Sequence, residues 1–300
     1  MWQVTLAINT VKALLPFQDE LRALKRRLSP YTGDAENCRL ALRQGLDQVE
    51  ALRRMGFPLE GAEVLDLGSG WNPVIPLLFR VAGARRVHLT DLERLLDRDT
   101  VLEAASIVVE ASEEIARRIG VPPERTRAVL GAPAGDDLDA LLASLGLTYT
   151  VPFDSATQMP PVDLVTSRTV LEHIPPAVLL KLFRDFRKGL RPGGAMSHVI
   201  DHSDHREHGD KSLSRIDFLR HSEALWKLFC VNPQDYTNRL RHADYTALMR
   251  EAGYEIALEE REVDARSVED ARTLKLWGRF ADLPPEEVAT LTSHVVARPA

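Results

Sequence analysis

The chain has 300 residues, 44% hydrophobic and 27% charged, which suffices for one large domain with an appendage and excludes disordered or low-complexity classes. Its 38 basic and 44 acidic side chains leave a net charge of −6, which disfavours a surface built to follow nucleic-acid phosphates. Cys38 and Cys230 form neither a disulfide framework nor a four-ligand zinc site by themselves, and no apolar run is long enough for a membrane span or a secretory signal, so the expected setting is the cytoplasm.

Residues 1–58 read as a helical arm. Val4, Ile8, Val11, Leu14 and Leu15 recur at helical spacing, followed after Pro16 by Leu21, Leu24 and Leu28. A break at 29–33 precedes a second stripe of Cys38, Leu42, Leu46, Val49 and Leu52. The basic residues Lys12, Arg22, Lys25, Arg26 and Arg27 leave a membrane-surface helix open as the alternative to a packed arm.

From Gly61 onward, short apolar runs at 62–67, 87–89, 147–151, 162–166 and 195–200 alternate with helical stretches near 74–82, 101–119, 175–189 and 243–252. That alternation predicts an α/β, doubly wound, mostly parallel sheet, which binds ligands beyond the carboxyl ends of its strands. Residues 201–242 interrupt the rhythm and read as a cap inserted after the fifth strand. Strands at 255–262 and 293–298 complete a seven-stranded sheet. The expected organisation is a helical arm at 1–58, a binding core at 59–200, a cap at 201–242 and a completing segment at 243–300.

The sharpest motif is Val64-Leu65-Asp66-Leu67-Gly68-Ser69-Gly70-Trp71, where a buried strand enters a turn whose glycines allow close approach to a ligand. A dinucleotide fingerprint would need a third glycine where Pro73 stands, and Pro73 lacks the N–H that a pyrophosphate would use. Nicotinamide-cofactor chemistry is disfavoured on that ground. Asp66 can bind or order water around a cationic amine. Asp91 ends the next strand, 21 residues after Gly70, at the spacing of a carboxylate that receives two ribose hydroxyls.

Residues 61–73 and 87–92 resemble the first two motifs of class I S-adenosylmethionine-dependent methyltransferases. The later motifs follow in order over roughly 60–300. Phe153-Asp154-Ser155-Ala156 resembles the acidic loop after the third strand. The stretch from Asp163 to Ile174 is similar to the fourth-strand motif of the small-molecule branch, and Leu190-Arg191-Pro192-Gly193-Gly194 to the turn into the fifth strand. The resemblance implies a Rossmann-like fold, S-adenosylmethionine as methyl donor and S-adenosylhomocysteine as product. It puts Asp66, Gly68, Ser69, Gly70, Asp91 and Leu92 around the cofactor, has Asp154 accept from the adenine amino group beside Ser155, and has Arg168 offer its carbonyl to the amino-acid end. An insertion at 120–147, with Pro122, Pro123, Gly131, Pro133 and Gly135, is an alternative source of the adenine contact.

The acceptor is then expected past the fourth strand, under the cap. Methyl transfer is an in-line displacement, so alignment and exclusion of water supply much of the rate, and a base is needed only if the acceptor loses a proton. His202 and His205 are the preferred bases, oriented by Asp201 or Asp204, and His173 beside Glu172 is a further catalytic candidate. His202, His205, His208 and Asp210 are ligand types that zinc or iron accepts, but their spacing matches no recognised site and no metal is expected. In the cap, Trp226, Tyr236, Arg239 and Arg241 are candidate substrate contacts, the arginines for an acidic acceptor group and otherwise as cap-anchoring ion pairs.

The leading expectation is methylation of oxygen or nitrogen on a small-molecule acceptor, in bacterial secondary metabolism or glycan modification, with homo-oligomerisation left open. Nucleic-acid methylation is the first alternative, weakened by the acidic balance and by Ser167-Arg168-Thr169-Val170 standing where an Asn-Pro-Pro-Tyr type motif would fall. A cofactor-binding regulatory subunit without catalysis is the second.

Overall fold

Residues 35–230 and 236–300 are described by a computed structural model. Seven strands form one sheet: β1 (Glu63–Leu67), β2 (Arg86–Thr90), β3 (Leu147–Thr150), β4 (Val162–Arg168), β5 (Leu190–Asp201), β6 (Tyr254–Val263) and β7 (Thr290–Pro299), in the order β3-β2-β1-β4-β5-β7-β6. The first five are parallel, and β7 runs antiparallel between β5 and β6. The strand order reverses direction between β1 and β4, which opens a crevice at their carboxyl ends.

The central strands read as continuous apolar runs because both their faces are covered. Alternate side chains divide between two cores. Val64, Leu164, Ala195 and Val296 pack with α1 (Ala35–Arg54) and α2 (Val74–Ala82). Leu65, Val165, Met196 and Val295 pack against Phe183 and Phe186 of α8 (Pro176–Gly189) and Tyr245 and Met249 of α10 (His242–Glu251). A register slip of one residue would exchange the two sets.

The stripe of Cys38, Leu42, Leu46, Val49 and Leu52 is the buried face of α1. The stripe from Val4 to Leu28 and the basic residues Lys12 to Arg27 lie outside the described residues. The helix expected over 101–119 is two, α3 (Arg98–Glu110) and α4 (Ser112–Ile119). Asp97 starts α3 early through a capping box with Thr100, and α4 restarts after Ala111 with Glu113 and Glu114 at its N-terminal dipole. The 120–147 insertion folds into α5 (Pro123–Leu130) and α6 (Leu138–Ser144), whose Leu130, Leu141 and Leu142 extend the α2 side of the core.

The cap has its own cluster, in which Ile216, Phe218, Trp226 and Phe229 meet Phe280 and Val288. It therefore combines the 201–242 segment, including α9 (Glu223–Phe229), with residues that return just before β7.

Candidate active site

The crevice between β1 and β4 is shaped by backbone that few residues adopt. Gly68 and Gly70 have φ of +65° and +62°, and a Cβ on Gly68 would lie 2.7 Å from Val170 Cγ2. Only glycine lets this turn pass beneath the segment that follows β4. Thr169 has φ +51°, held by its N–H donating to the Val199 carbonyl at 2.8 Å. Such a conformation costs about 1–3 kcal/mol for a β-branched residue and clusters at ligand-binding sites.

Hydrogen bonds fasten the glycine turn to the end of β2. Asp91 Oδ2 accepts from the Gly70 N–H at 2.9 Å and Oδ1 from the Leu92 N–H at 2.7 Å. Thr90 Oγ1 donates to the Asp66 carbonyl at 2.8 Å, and the Ser69 N–H to the Thr90 carbonyl at 3.0 Å. The carboxylate of Asp91 is thus fixed before any ligand arrives, with lone pairs left over.

Two spaces adjoin across Gly68 and Thr169. The smaller, about 260 Å³, is lined by Asp66, Ser69, Gly70, Asn72 and Arg168, with Asn37 and Ala41 of α1 as its far wall. The larger, about 550 Å³, is lined by Asp91, Leu92, Phe153, Asp154, Val170 and His173. Asp66 is 5% exposed, and burial foremost, with the charge of Asp91 adding to it, pushes its carboxyl up to about 7 against the pull of Ser69.

Asp154 and Ser155 border the larger space but are partly committed elsewhere. The Asp154 carboxylate caps α7 (Ser155–Gln158), accepting from the Ala156 N–H at 3.0 Å and the Thr157 hydroxyl at 2.9 Å. Ser155 Oγ turns away and donates to Asp185 Oδ2 of α8 at 2.9 Å. Arg168 reaches α1, where its Nε donates to Gln44 Oε1. The periodicity of α1 marked its buried face, but no local signal marked Asn37, Gln44 or Thr169 as neighbours of the crevice.

The expected acceptor-side residues separate. His202 is a correction: it is buried, with Nε2 2.8 Å from Ser293 Oγ and Nδ1 3.4 Å from the Leu240 carbonyl, and burial holds its imidazole well below the usual range. It follows the end of β5, and its ring lies edge-on to Tyr245 of α10 at 5.4 Å. Trp226 is also a correction, since it packs in the cap core and donates Nε1–H to the Thr237 carbonyl at 3.0 Å. Arg239 and Arg241 bind the protein's own backbone instead of presenting to a ligand. Arg239 donates to the Phe218 and His221 carbonyls and pairs with Glu223. Arg241, 1% exposed, donates to the carbonyls of His202, Val288 and Thr290 at 2.7, 2.8 and 2.5 Å.

His173 and His205 do come together, with ring centroids 5.1 Å apart, and His208 stacks on His205 at 5.4 Å. His173 Nδ1 lies 2.9 Å from the Tyr236 carbonyl, so Tyr236 meets the site through its backbone. His205 Nε2 faces Asp201 Oδ2 at 3.4 Å without hydrogen-bond geometry. Glu172 lies beneath them at 1% exposure, and neither carboxylate oxygen has a hydrogen-bond partner among the described residues. Burial, aided by the charge of Asp201, pushes its carboxyl well up. Asn238 fastens this turn to the cap, its Nδ2 donating to the Leu171 and Ile174 carbonyls, both at 2.9 Å, and Tyr245 OH donates to its Oδ1.

Comparison with known proteins fits this arrangement. Residues 19–259 match the model of a methyltransferase domain family. No curated protein matches the chain in sequence. Similar solved structures include an S-adenosylmethionine-dependent methyltransferase from Mesorhizobium loti, at 18% identity over 89% of this chain and 98% of that one, with a TM-score of 0.45. Another is magnesium protoporphyrin IX methyltransferase from Synechocystis with S-adenosylhomocysteine bound, at 15% identity over 88% of this chain and 86% of that one, with a TM-score of 0.44. With its fold, its glycine turn and a family match over most of its length, the chain belongs to the methyltransferase domain family and is a class I S-adenosylmethionine-dependent methyltransferase.

Proposed function

We propose that the enzyme methylates an oxygen or nitrogen of a small-molecule acceptor, with the cofactor lying across the two adjoining spaces. The observation that carries this reading is their junction at Gly68 and Thr169, with the Asp66 carboxyl lining one space and the Asp91 carboxylate the other. Asp66 faces the ammonium of the amino-acid end, next to the Gly68–Gly70 turn and the carbonyl of Arg168. Asp91 receives the ribose hydroxyls, and Leu92 and Phe153 flank the base. The acceptor enters where His173 borders the larger space.

The nucleophile's lone pair forms the new bond to the methyl carbon while the carbon–sulfur bond breaks and its electron pair returns to sulfur. The sulfonium becomes a neutral thioether, so pre-alignment and a dry cleft supply most of the acceleration. An acceptor that loses a proton on attack has His173 and His205 at hand, with Asp201 beside His205. The net charge of −6 supports a small acceptor over nucleic acid. No helix among the described residues is long and apolar enough to cross a membrane.

Calorimetry with S-adenosylmethionine, S-adenosylhomocysteine and NAD tests the cofactor site. Asp91→Ala is expected to weaken binding of the first two by about 1.5–3 kcal/mol, the range for hydrogen bonds to a charged group. An unchanged dissociation constant in Asp91→Ala would show that the ribose contact is misassigned. Incubation with methyl-labelled cofactor and pools of hydroxylated and amino small molecules, beside RNA and DNA, tests the acceptor. Label entering only the nucleic acid would overturn the small-molecule reading.

A further inference from the structure

The Glu172 carboxylate is the feature that methyl transfer by alignment does not explain. A buried polar atom is nearly always hydrogen-bonded, because leaving it unmade costs its full desolvation. Both oxygens of Glu172 lack a partner among the described residues, although the amides of Glu172 and Asp201 lean toward the carboxylate. Potential ligand atoms of Glu172, His173 and His205 all lie within 4.8 Å of one another. We propose that Glu172, His173 and His205 bind a first-row divalent cation of the zinc type at the acceptor end of the cleft, where the two imidazoles act as ligands in place of bases and the ion would acidify a bound hydroxyl, a proposal that rests on the small-molecule reading above.

Three features of the cluster suit such an ion. Two imidazoles and one carboxylate favour zinc, iron, cobalt or manganese over magnesium or calcium, which prefer all-oxygen shells. The 2.9 Å contact to the Tyr236 carbonyl has His173 Nδ1 as donor, which leaves the Nε2 lone pair for a metal, and backbone-oriented histidine is the usual supporting arrangement. Asp201, whose Oδ2 lies 3.4 Å from His205 Nε2, adds a second carboxylate beside the cluster, which a divalent cation offsets. Bond lengths near 2.0–2.1 Å require ligand atoms about 3.3 Å apart in a tetrahedral shell, so small side-chain rotations close the site.

Three protein ligands leave at least one position for an outside donor. His173 borders the larger space, so that position opens toward the acceptor. The acceptor class that follows bears a hydroxyl or carboxylate oxygen near the methylated atom. The sequence offers His202, His208 and Asp210 beside His205 as ligand types, at a spacing that matches no recognised site and with no metal expected. The fold instead buries His202 in the cap and brings Glu172 and His173 from the turn after β4.

The test uses the full chain, stripped with a chelator and titrated with CoCl2 while visible d–d absorption is recorded, then with ZnCl2 in competition. One equivalent of cobalt is expected, displaced by zinc and not by excess MgCl2. Glu172→Gln and the double variant His173→Asn/His205→Asn should each weaken cobalt binding at least about 100-fold, beyond the 10–100-fold typical of losing a supporting residue. His208→Asn should leave cobalt affinity within about threefold of the parent. Each variant is also titrated with S-adenosylmethionine, and retained cofactor affinity shows that it is folded.

Absence of a cobalt band in protein that binds S-adenosylmethionine would overturn the metal site and leave the methyltransferase reading standing. Cobalt binding unaffected by the Glu172 and His173/His205 changes, or lost with His208 alone, would overturn it as well. Cobalt binding with the expected variant pattern, but methyl transfer found only to nucleic acid, would instead remove the small-molecule reading.

Discussion

The buried carboxyl of Asp66 predicts that cofactor binding is linked to a proton. Its ordinary value near 3.8 is raised to about 7, equivalent to roughly 4 kcal/mol of penalty on the charged form. At pH 7 the group is therefore about half protonated in the free enzyme. An ammonium brought against it favours the charged form by about 1–3 pH units, so the proton leaves on binding. Taking a bound value near 5, release is about 0.8 proton per cofactor at pH 6, 0.5 at pH 7 and 0.1 at pH 8. The cofactor's own α-amino group, with a value near 8, contributes uptake only at the alkaline end, so the net transfer changes sign between pH 6 and pH 8. Holding the carboxyl charged at pH 6 also raises the dissociation constant about tenfold relative to the alkaline limit. Calorimetric titrations in two buffers of different ionisation enthalpy measure the transfer directly. Asp66→Asn should abolish release at pH 6 and flatten the acid side of the affinity profile. No release from the parent enzyme at pH 6, or the same release from Asp66→Asn, would refute an electrostatic contact between Asp66 and the ammonium.

Two further expectations concern stability. Arg241 donates to three buried carbonyls, so Arg241→Leu leaves them unsatisfied and should lower the unfolding free energy by roughly 2–5 kcal/mol in a urea titration; a loss below about 1 kcal/mol would mean that water replaces the guanidinium. His294 is buried, and burial lowers its imidazole to about 4 although Glu260 Oε2, 3.9 Å from Nδ1, opposes this. The unfolded chain, with a value near 6.5, takes up a proton that the native state refuses, so this contribution is present above pH 6.5 and lost as pH falls toward 4. Between pH 7 and pH 5, His294→Gln should lose about 2 kcal/mol less stability than the parent, since a glutamine amide can replace the contact of His294 Nε2 with Ser197 Oγ, 2.9 Å away, without titrating. Parallel profiles for the two proteins would argue that His294 is protonated in the fold.

Much of the crevice at the end of β1 was legible in the sequence because its geometry is local. Gly68 and Gly70 lie two and four positions after Asp66, and a strand entering a tight turn carries all three to the same place whatever the rest of the chain does. Asp91 was legible for a related reason: the crossover from β1 to β2 returns the chain to the neighbouring strand at a fixed spacing. The central strands follow from the same kind of information, since an apolar run short enough to span a sheet and covered on both faces declares itself in composition.

The acceptor side was decided by packing. His202 and His205 are three residues apart in one polar run, and nothing in that run says which is buried. The end of β5 turns His202 into the cap and returns His205 to the crevice, where it meets His173, 32 residues earlier in the chain. Arg239 and Arg241 have the chemistry of anion receptors, but the cap needs cations for its own inward-pointing carbonyls. Glu172 is the clearest case. As a sequence, Leu171-Glu172-His173 is a turn after a strand, and only the folded chain buries its carboxylate with no hydrogen-bond partner among the described residues. Sequence by itself determined the sheet, the glycine turn and the two carboxylates beside it, because these depend on short-range backbone geometry. Tertiary structure decided which titratable groups cluster beside the crevice and which are buried, because burial is set by whichever distant element comes to lie on top.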